Sequence, residues 1–214
     1  MAELLVIRHG QASFGADDYD RLSELGRRQS AAVGAYLRAS GWHPDRLITG
    51  TLRRQGETLA AMGFGAAPDQ HAGFNEYDFH DLLHKRFGGT APDAVMQDRK
   101  THFRTLRETI LDWQKGGIDG ARESWADFVA RVAAARDFAT RAGPRRVLVI
   151  SSGGVIGQLV AATLAAPPVM MMDLNLQVKN SSISRFVFSP GRIMLTEFNA
   201  TPHVDTAPDL LSHS

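Results

Sequence analysis

Four apolar residues, Leu4-Leu5-Val6-Ile7, run without interruption into Arg8-His9-Gly10, and no other stretch limits the possible folds so tightly. The run is too short for a helix and is closed by a glycine. It reads as a strand buried on both faces, the kind found inside a parallel sheet. Such a strand delivers Arg8 and His9 to its carboxyl end, where the loops of open α/β sheets converge on helix N-termini with unpaired N–H groups. Two readings are open at this point. The pair is either two solvated polar residues, or a guanidinium fork holding phosphate oxygens beside an imidazole that attacks phosphorus or moves a proton.

The rest of the chain supplies the partners such a strand needs. Ser23 is placed to cap a helix running to about Ser40, ended by Gly41, with Leu25, Ala32, Val33, Tyr36 and Leu37 at helical spacing. Leu47-Ile48-Thr49 reads as a second strand, and the stretch from Thr51 to Leu59 opens a helix with Arg53 and Arg54 in its first turn. Cations are disfavoured at the positive end of the helix dipole, so the pair points to a nearby anion unless both side chains are simply solvated. A short third strand precedes Phe74-Asn75-Glu76, which opens a helical insert, expected as a lid at about 77–120; within it, Asp93 to Lys115 follows the start signal of Pro92. Ser124 caps a helix to about Arg141. Arg146 to Ser151 is a clear strand, and Ser152-Gly153-Gly154 joins it to a helix from Val155 to about Ala165. That strand, glycine turn and helix N-terminus form an anion cradle. Met170-Met171-Met172 reads as core filling. Ser182–Phe188 and Ile193–Phe198 read as a hairpin on the antiparallel edge of the sheet, and the tail from Thr206, poor in apolar residues, as loose. The expected fold is three-layer α/β/α: a mostly parallel sheet with an antiparallel edge strand and a helical insertion, in a single domain over residues 1–214.

Composition narrows the function classes. The 24 Lys and Arg nearly balance 23 Asp and Glu for a net charge of +1, which gives no electrostatic case for nucleic acid or an acidic membrane surface. With no Cys, disulfides and thiolate metal centres are excluded and a reducing cytoplasm is the simpler expectation. No basic leader or long apolar run is present, so a cytoplasmic protein without a membrane partner is expected. A homodimer stays open.

In order, the motifs are strand-Arg8-His9-Gly10, Leu22-Ser23-x-x-Gly26-x-x-Gln29, Leu52-x-Arg54 leading to Thr58, Asn75-Glu76, and a strand running into Ser152-Gly153-Gly154. This order resembles the histidine phosphatase superfamily, also called phosphoglycerate mutase-like, from Leu4 to about His203. The resemblance implies that His9 is phosphorylated during turnover and that Arg8 and Arg54 bind the phosphoryl group, with Arg53 pointing away. It implies that Glu76 protonates the leaving group; Gln11, Ser152, Gly153 and His80 are the further candidate substrate contacts. Asn199 and His203 fit a C-terminal stretch seen in bacterial members. The implied activity is that of a phosphatase on a small phosphomonoester, with inorganic phosphate as product and no cofactor or metal. A non-catalytic phosphate-binding protein is the alternative; a mutase fits less well, because no further basic motif serves a second phosphate.

Elementary chemistry agrees with those roles. Phosphoryl transfer needs in-line positioning and cancellation of charge on the equatorial oxygens. Arg8 and Arg54 supply the charge and a neutral His9 the attack. A carboxyl of raised pKa at Glu76 would protonate the alkoxide and later deprotonate water. Two departures from the family pattern stand out. The second catalytic histidine of the family ordinarily precedes the glycine pair, where this chain has Ser152. Gln11-Ala12-Ser13-Phe14-Gly15 stands where many members have Glu-Thr-x-Trp-Asn, so Gly15 replaces an Asn that touches phosphate, with Ser13 as a candidate substitute. Losing one preorganised donor costs on the order of a hundredfold to a thousandfold in rate. His80, His84 and His203 are the imidazoles that could stand in, His80 first because it follows the acid segment.

Overall fold

Alternation along β1 (Ala2–Arg8) organises the sheet of the computed structural model. The structure describes residues 1–13, 20–90, 98–205 and 207–213, with backbone alone at 99 and 100. β1 is central: it pairs parallel with β4 (Arg146–Ser151) on one side and antiparallel with β5 (Ile183–Ser189) on the other. With β2 (Arg46–Thr49), the two-residue β3 (Asp69–Gln70) and β6 (Arg192–Ala200), the order is β3-β2-β4-β1-β5-β6. β1 to β4 run parallel, and β5 and β6 form the antiparallel hairpin expected at one edge.

Because side chains alternate across a strand, β1 feeds two cores. Leu5 and Ile7, with Leu148 and Ile150, meet Val33 and Leu37 of α1 (Glu24–Ala39) and Leu59 and Met62 of α2 (Arg53–Met62). Leu4 and Val6, with Val147 and Val149, share the other core with the helices after residue 120. One of these is α5 (Trp125–Ala139), through Phe128 and Val132; another is α6 (Gly153–Thr163), through Val155 and Leu159. Full burial of each such side chain contributes about 1.5–3 kcal/mol. These two helix layers around the sheet give the expected α/β/α architecture.

The caps at Ser23 and Ser124 form as the sequence indicates: each side-chain oxygen accepts an N–H three residues on, at 3.0 Å from Gly26 and 3.1 Å from Asp127. Between β3 and α5 lie α3 (Phe79–Arg86) and α4 (Arg99–Gln114), the latter contributing Ile110 and Trp113 to the second core. The expected helix start at Pro92 and Asp93 falls outside the described residues. α7 (Val169–Asn175) buries Met171 and Met172 but leaves Met170 exposed. Among the described residues no helix is long and apolar enough to cross a membrane.

The tail departs from the expectation of a loose end. Leu210 is buried, Gln29 Nε2 donates to Leu210 O and Ser212 Oγ at 2.7 and 2.8 Å, and Asn180 N–H donates to Ser212 O at 3.1 Å. Backbone and hydroxyl acceptors dock this segment, so its low apolar content misleads.

Candidate active site

β1 ends at Arg8, whose ladder partner is Ser151 at the end of β4, so both strands stop at one edge of the sheet. His9 N–H still donates to Ser151 O at 2.9 Å, and then the chain turns. The turn lies flat against the start of α1. A Cβ on Gly10 would sit 2.3 Å from Gly26 O, and one on Gly26 would sit 2.2 Å from Gln11 O. Glycine at both positions permits that approach. Thr58 Oγ1 accepts the Gly10 N–H at 3.1 Å, tying the same turn to α2.

His9 is 5% exposed. Its Nδ1 lies 2.7 Å from Gly10 O, and a carbonyl can only accept, so Nδ1 carries the proton and Nε2 keeps its lone pair. Arg54 Nε donates to that Nε2 at 3.1 Å. Burial, then the charges of Arg54 and Arg8, push the ring well below its ordinary pKa against a smaller opposing effect of the Gly10 bond. The ring is therefore neutral at pH 7.

Arg54 sits in the first turn of α2, a helix whose own N-cap, Leu52, gives no side-chain cap. Asp20 supplies it instead: Oδ2 accepts the Arg53 N–H at 2.8 Å and Oδ1 pairs with Arg54 Nη1 at 2.8 Å. This carboxylate is the anion that two cations at a helix start call for. Arg53 turns outward to Glu57, at 2.8 Å.

Arg8 is held by its backbone N–H on Ser182 O at 3.1 Å and by Nη1 on Val178 O. Its guanidinium lies over the start of α6, 3.6 Å from where a Gly153 Cβ would be. That helix begins at Gly153 rather than Val155, so the glycines are its first turn and not a linker. A Cβ on Gly153 would meet Asn175 Oδ1 at 2.4 Å, and one on Gly154 would meet Tyr77 Cε1 at 2.3 Å and Glu76 Oε1 at 2.4 Å. Glu76 thus packs on the helix start, with Oε2 accepting the Gly154 N–H at 3.0 Å and Oε1 the Tyr77 N–H at 3.2 Å. Its loop is clamped by Arg131, which donates to Gly73 O and Asn75 O at 3.2 and 2.7 Å, and by Asn75 Oδ1, which accepts the Thr51 N–H at 2.7 Å.

Ser152 is fully buried and does not cap α6. Its Oγ accepts Gln55 Nε2 at 3.0 Å, and the same Nε2 donates to Phe74 O at 2.9 Å.

The structure therefore joins His9 to Arg54 directly, and Arg8, Gly153, Gly154 and Glu76 through the α6 start. Gln11 stands beside them but commits Oε1 to Ser23 Oγ at 2.9 Å and its N–H to Gln29 Oε1 at 2.9 Å, bracing α1. His80 is exposed on the first turn of α3. Ser13 N–H bonds Arg21 O at 2.8 Å; Phe14 and Gly15 lie outside the described residues. His203 is buried, with Nε2 2.8 Å from Ser181 Oγ, and Ser181 N–H reaches His9 O at 3.3 Å. Asn199 accepts the Lys179 N–H at 2.8 Å and donates to Gln177 O at 2.7 Å, holding the loop that carries Val178. Asp20, Gln55 and Arg131 escape a reading of the sequence. The uncapped basic start of α2 was a signal for Asp20; nothing local signals the other two. Among the described residues no group of three His, Asp or Glu is placed to hold a metal ion.

Residues 4–201 match the histidine phosphatase superfamily, branch 1. The chain is 26% identical over 180 residues, 77% of its length and 75% of the relative's, to a glucosyl-3-phosphoglycerate phosphatase of Mycolicibacterium vanbaalenii. Among solved structures it is similar to phosphoserine phosphatase of Entamoeba histolytica in complex with 3-phosphoglyceric acid, with a TM-score of 0.70 at 21% identity, covering 95% of this chain and 100% of that one. Phosphoglycerate mutase of Bacillus anthracis follows at a TM-score of 0.68 and 20% identity, covering 95% of each chain. The turn that presents a neutral His9 between two arginines is thus carried by a chain that belongs to the histidine phosphatase superfamily, branch 1.

Proposed function

We propose that the protein is a phosphatase that hydrolyses a small phosphomonoester through a phosphohistidine on His9. The observation that carries this reading is the Arg54 Nε–H meeting the His9 Nε2 lone pair at 3.1 Å. At that point a phosphate oxygen can take the N–H while phosphorus takes the lone pair. In the first step the Nε2–P bond forms, the P–O ester bond breaks, and the leaving oxygen takes a proton from Glu76. The ring then carries positive charge, supported by Nδ1–H on Gly10 O. In the second step water attacks phosphorus, Glu76 takes its proton, and the P–N bond breaks to release phosphate and restore neutral His9. Arg8 and Arg54 offset charge on the equatorial oxygens in both steps. Ser152 stands where the second imidazole of the family would be, which makes the enzyme slower than a member with two histidines. The names of the relatives, phosphatases of glucosyl-3-phosphoglycerate and phosphoserine, support a small phosphorylated substrate.

The test is turnover of p-nitrophenyl phosphate by the full chain and by His9→Ala. Turnover lost in the variant, with 32P trapped on the wild-type chain after acid-free quenching, is expected. Phosphate binding without turnover in the wild type would instead make the chain a phosphate-binding module.

A further inference from the structure

Near its end β6 carries one residue more than the strand it pairs with. Ile183 opposes Ala200 and Arg185 opposes Glu197, so the single residue Ser184 on β5 faces two on β6, Phe198 and Asn199. This is a β-bulge, which bends a strand and re-aims a side chain. Asn199 takes the left-handed conformation there, with φ at 59°, which asparagine tolerates better than most residues. Its N–H is met by Ser184 Oγ at 3.3 Å, so the side chain is not spent on closing the bulge.

The side chain reaches instead to the loop that follows α7. Asn199 Oδ1 accepts the Lys179 N–H at 2.8 Å, and Nδ2 donates to Gln177 O at 2.7 Å. The amide has one sensible orientation, because exchanging its ends would set N–H against N–H and oxygen against oxygen. These two bonds fall on the two peptide units that flank Val178. Lys179 N–H and Val178 C=O belong to one planar trans peptide and point in opposite directions, so fixing the N–H aims the carbonyl. That carbonyl receives Arg8 Nη1. The Val178 side chain is buried in the core, and its N–H turns back to Leu174 O at the end of α7, at 3.2 Å. The rotation of the next peptide is therefore what the Asn199 bond settles.

We propose that Asn199 is a positioning residue for Arg8: by gripping the peptides on both sides of Val178, it aims the carbonyl that holds the guanidinium facing the phosphoryl group on His9. The proposal rests on the phosphatase reading above, in which Arg8 offsets charge on the transferred group. It gives a bulge on the outer strand of the hairpin, two places from β1 in the sheet, a task at the end of β1.

The experiment compares Asn199→Gly with wild type and repeats the pair on an Arg8→Lys background. Turnover is read with p-nitrophenyl phosphate, and binding with orthovanadate, which takes the five-coordinate shape of the transition state. Glycine keeps the left-handed backbone while deleting both side-chain bonds. With Arg8 in place, Asn199→Gly is expected to lower kcat about tenfold to a hundredfold, the scale set by a small misplacement of a group at the reacting centre. Vanadate affinity should fall in parallel, and KM should move less. Lysine has no second nitrogen to keep on Val178 O while facing the phosphoryl group, so on the Arg8→Lys background Asn199→Gly should weaken vanadate little further. Asn199→Asp, which keeps the acceptor for the Lys179 N–H, is expected to retain most of kcat. Equal losses on the two backgrounds, an Asn199→Asp enzyme as slow as Asn199→Gly, or unchanged kcat and vanadate affinity in Asn199→Gly would each overturn the proposal. Thermal unfolding reports whether the variants fold; should Asn199→Gly fail, Asn199→Ala takes its place under the same criteria. Turnover that survives His9→Ala defeats the phosphatase reading itself, an outcome distinct from these, because vanadate binding reads the Arg8 arrangement without turnover.

Discussion

At His9, burial and two guanidinium groups act in the same direction, both disfavouring a second proton on the ring. The nucleophile is thereby kept ready at pH values where a free imidazole would be charged. In an NMR titration of the imidazole nitrogens, His9 is expected to pass through pH 6.5 without protonating, and Arg54→Gln is expected to raise its pKa toward that ordinary value. A wild-type ring that protonates near 6.5 would contradict the electrostatics described for the site. How legible these residues are depends on how far each partner lies. Arg8 and His9 announce themselves because strand and nucleophile are contiguous, and Arg54 because a cation is out of place at a helix start. The Gln55–Ser152 pair spans 97 positions, and neither residue is unusual where it stands. Asp20 was legible only as a need for some anion, since the carboxylate that meets it sits 34 positions before Arg54.

Among the elements, the contact between the turn after β1 and the first turn of α1 sets where the His9 ring ends. It is a backbone-to-backbone contact with no room for a methyl group. Gly26→Ala would set a Cβ 2.2 Å from Gln11 O and must push the turn off the helix. The expected cost is about 1–3 kcal/mol, the usual range for overpacking, read by urea denaturation. Activity should fall further than stability, because the displaced turn carries Gly10 and with it the acceptor of His9 Nδ1. Strand and helix identities were readable from apolar spacing and from Ser23 and Ser124. The exact start of α6 was not: Gly153 and Gly154 look like a linker until Tyr77, Glu76 and Asn175 are seen packed against them. Glycine chosen for closeness and glycine chosen for flexibility are the same letter in a sequence.

Over the whole molecule, the residues after β6 form an outer support for the site. His203 reaches Ser181, Ser181 reaches the His9 carbonyl, and Ser212 holds Asn180 in the same loop. This support is acid-sensitive. Burial lowers the His203 pKa from 6.5 to about 4, so the unfolded chain binds a proton there before the folded chain does, and stability falls as pH drops below 6.5. The loss from this residue alone amounts to about 3 kcal/mol once pH reaches its folded value of about 4. His9 adds a loss of the same sign. Urea midpoints measured from pH 7 downward should therefore decline, and His203→Gln should flatten that decline. An unchanged slope in the variant would count against this assignment. The docked tail was hidden from the sequence because backbone carbonyls and hydroxyls, not apolar side chains, receive it. One practical consequence concerns handling of the protein. A cut of the backbone within Pro208–Leu210 would free Ser212, release Asn180 and loosen the loop whose Ser181 N–H holds the His9 carbonyl, so a preparation nicked there should lose activity while the sheet stays intact.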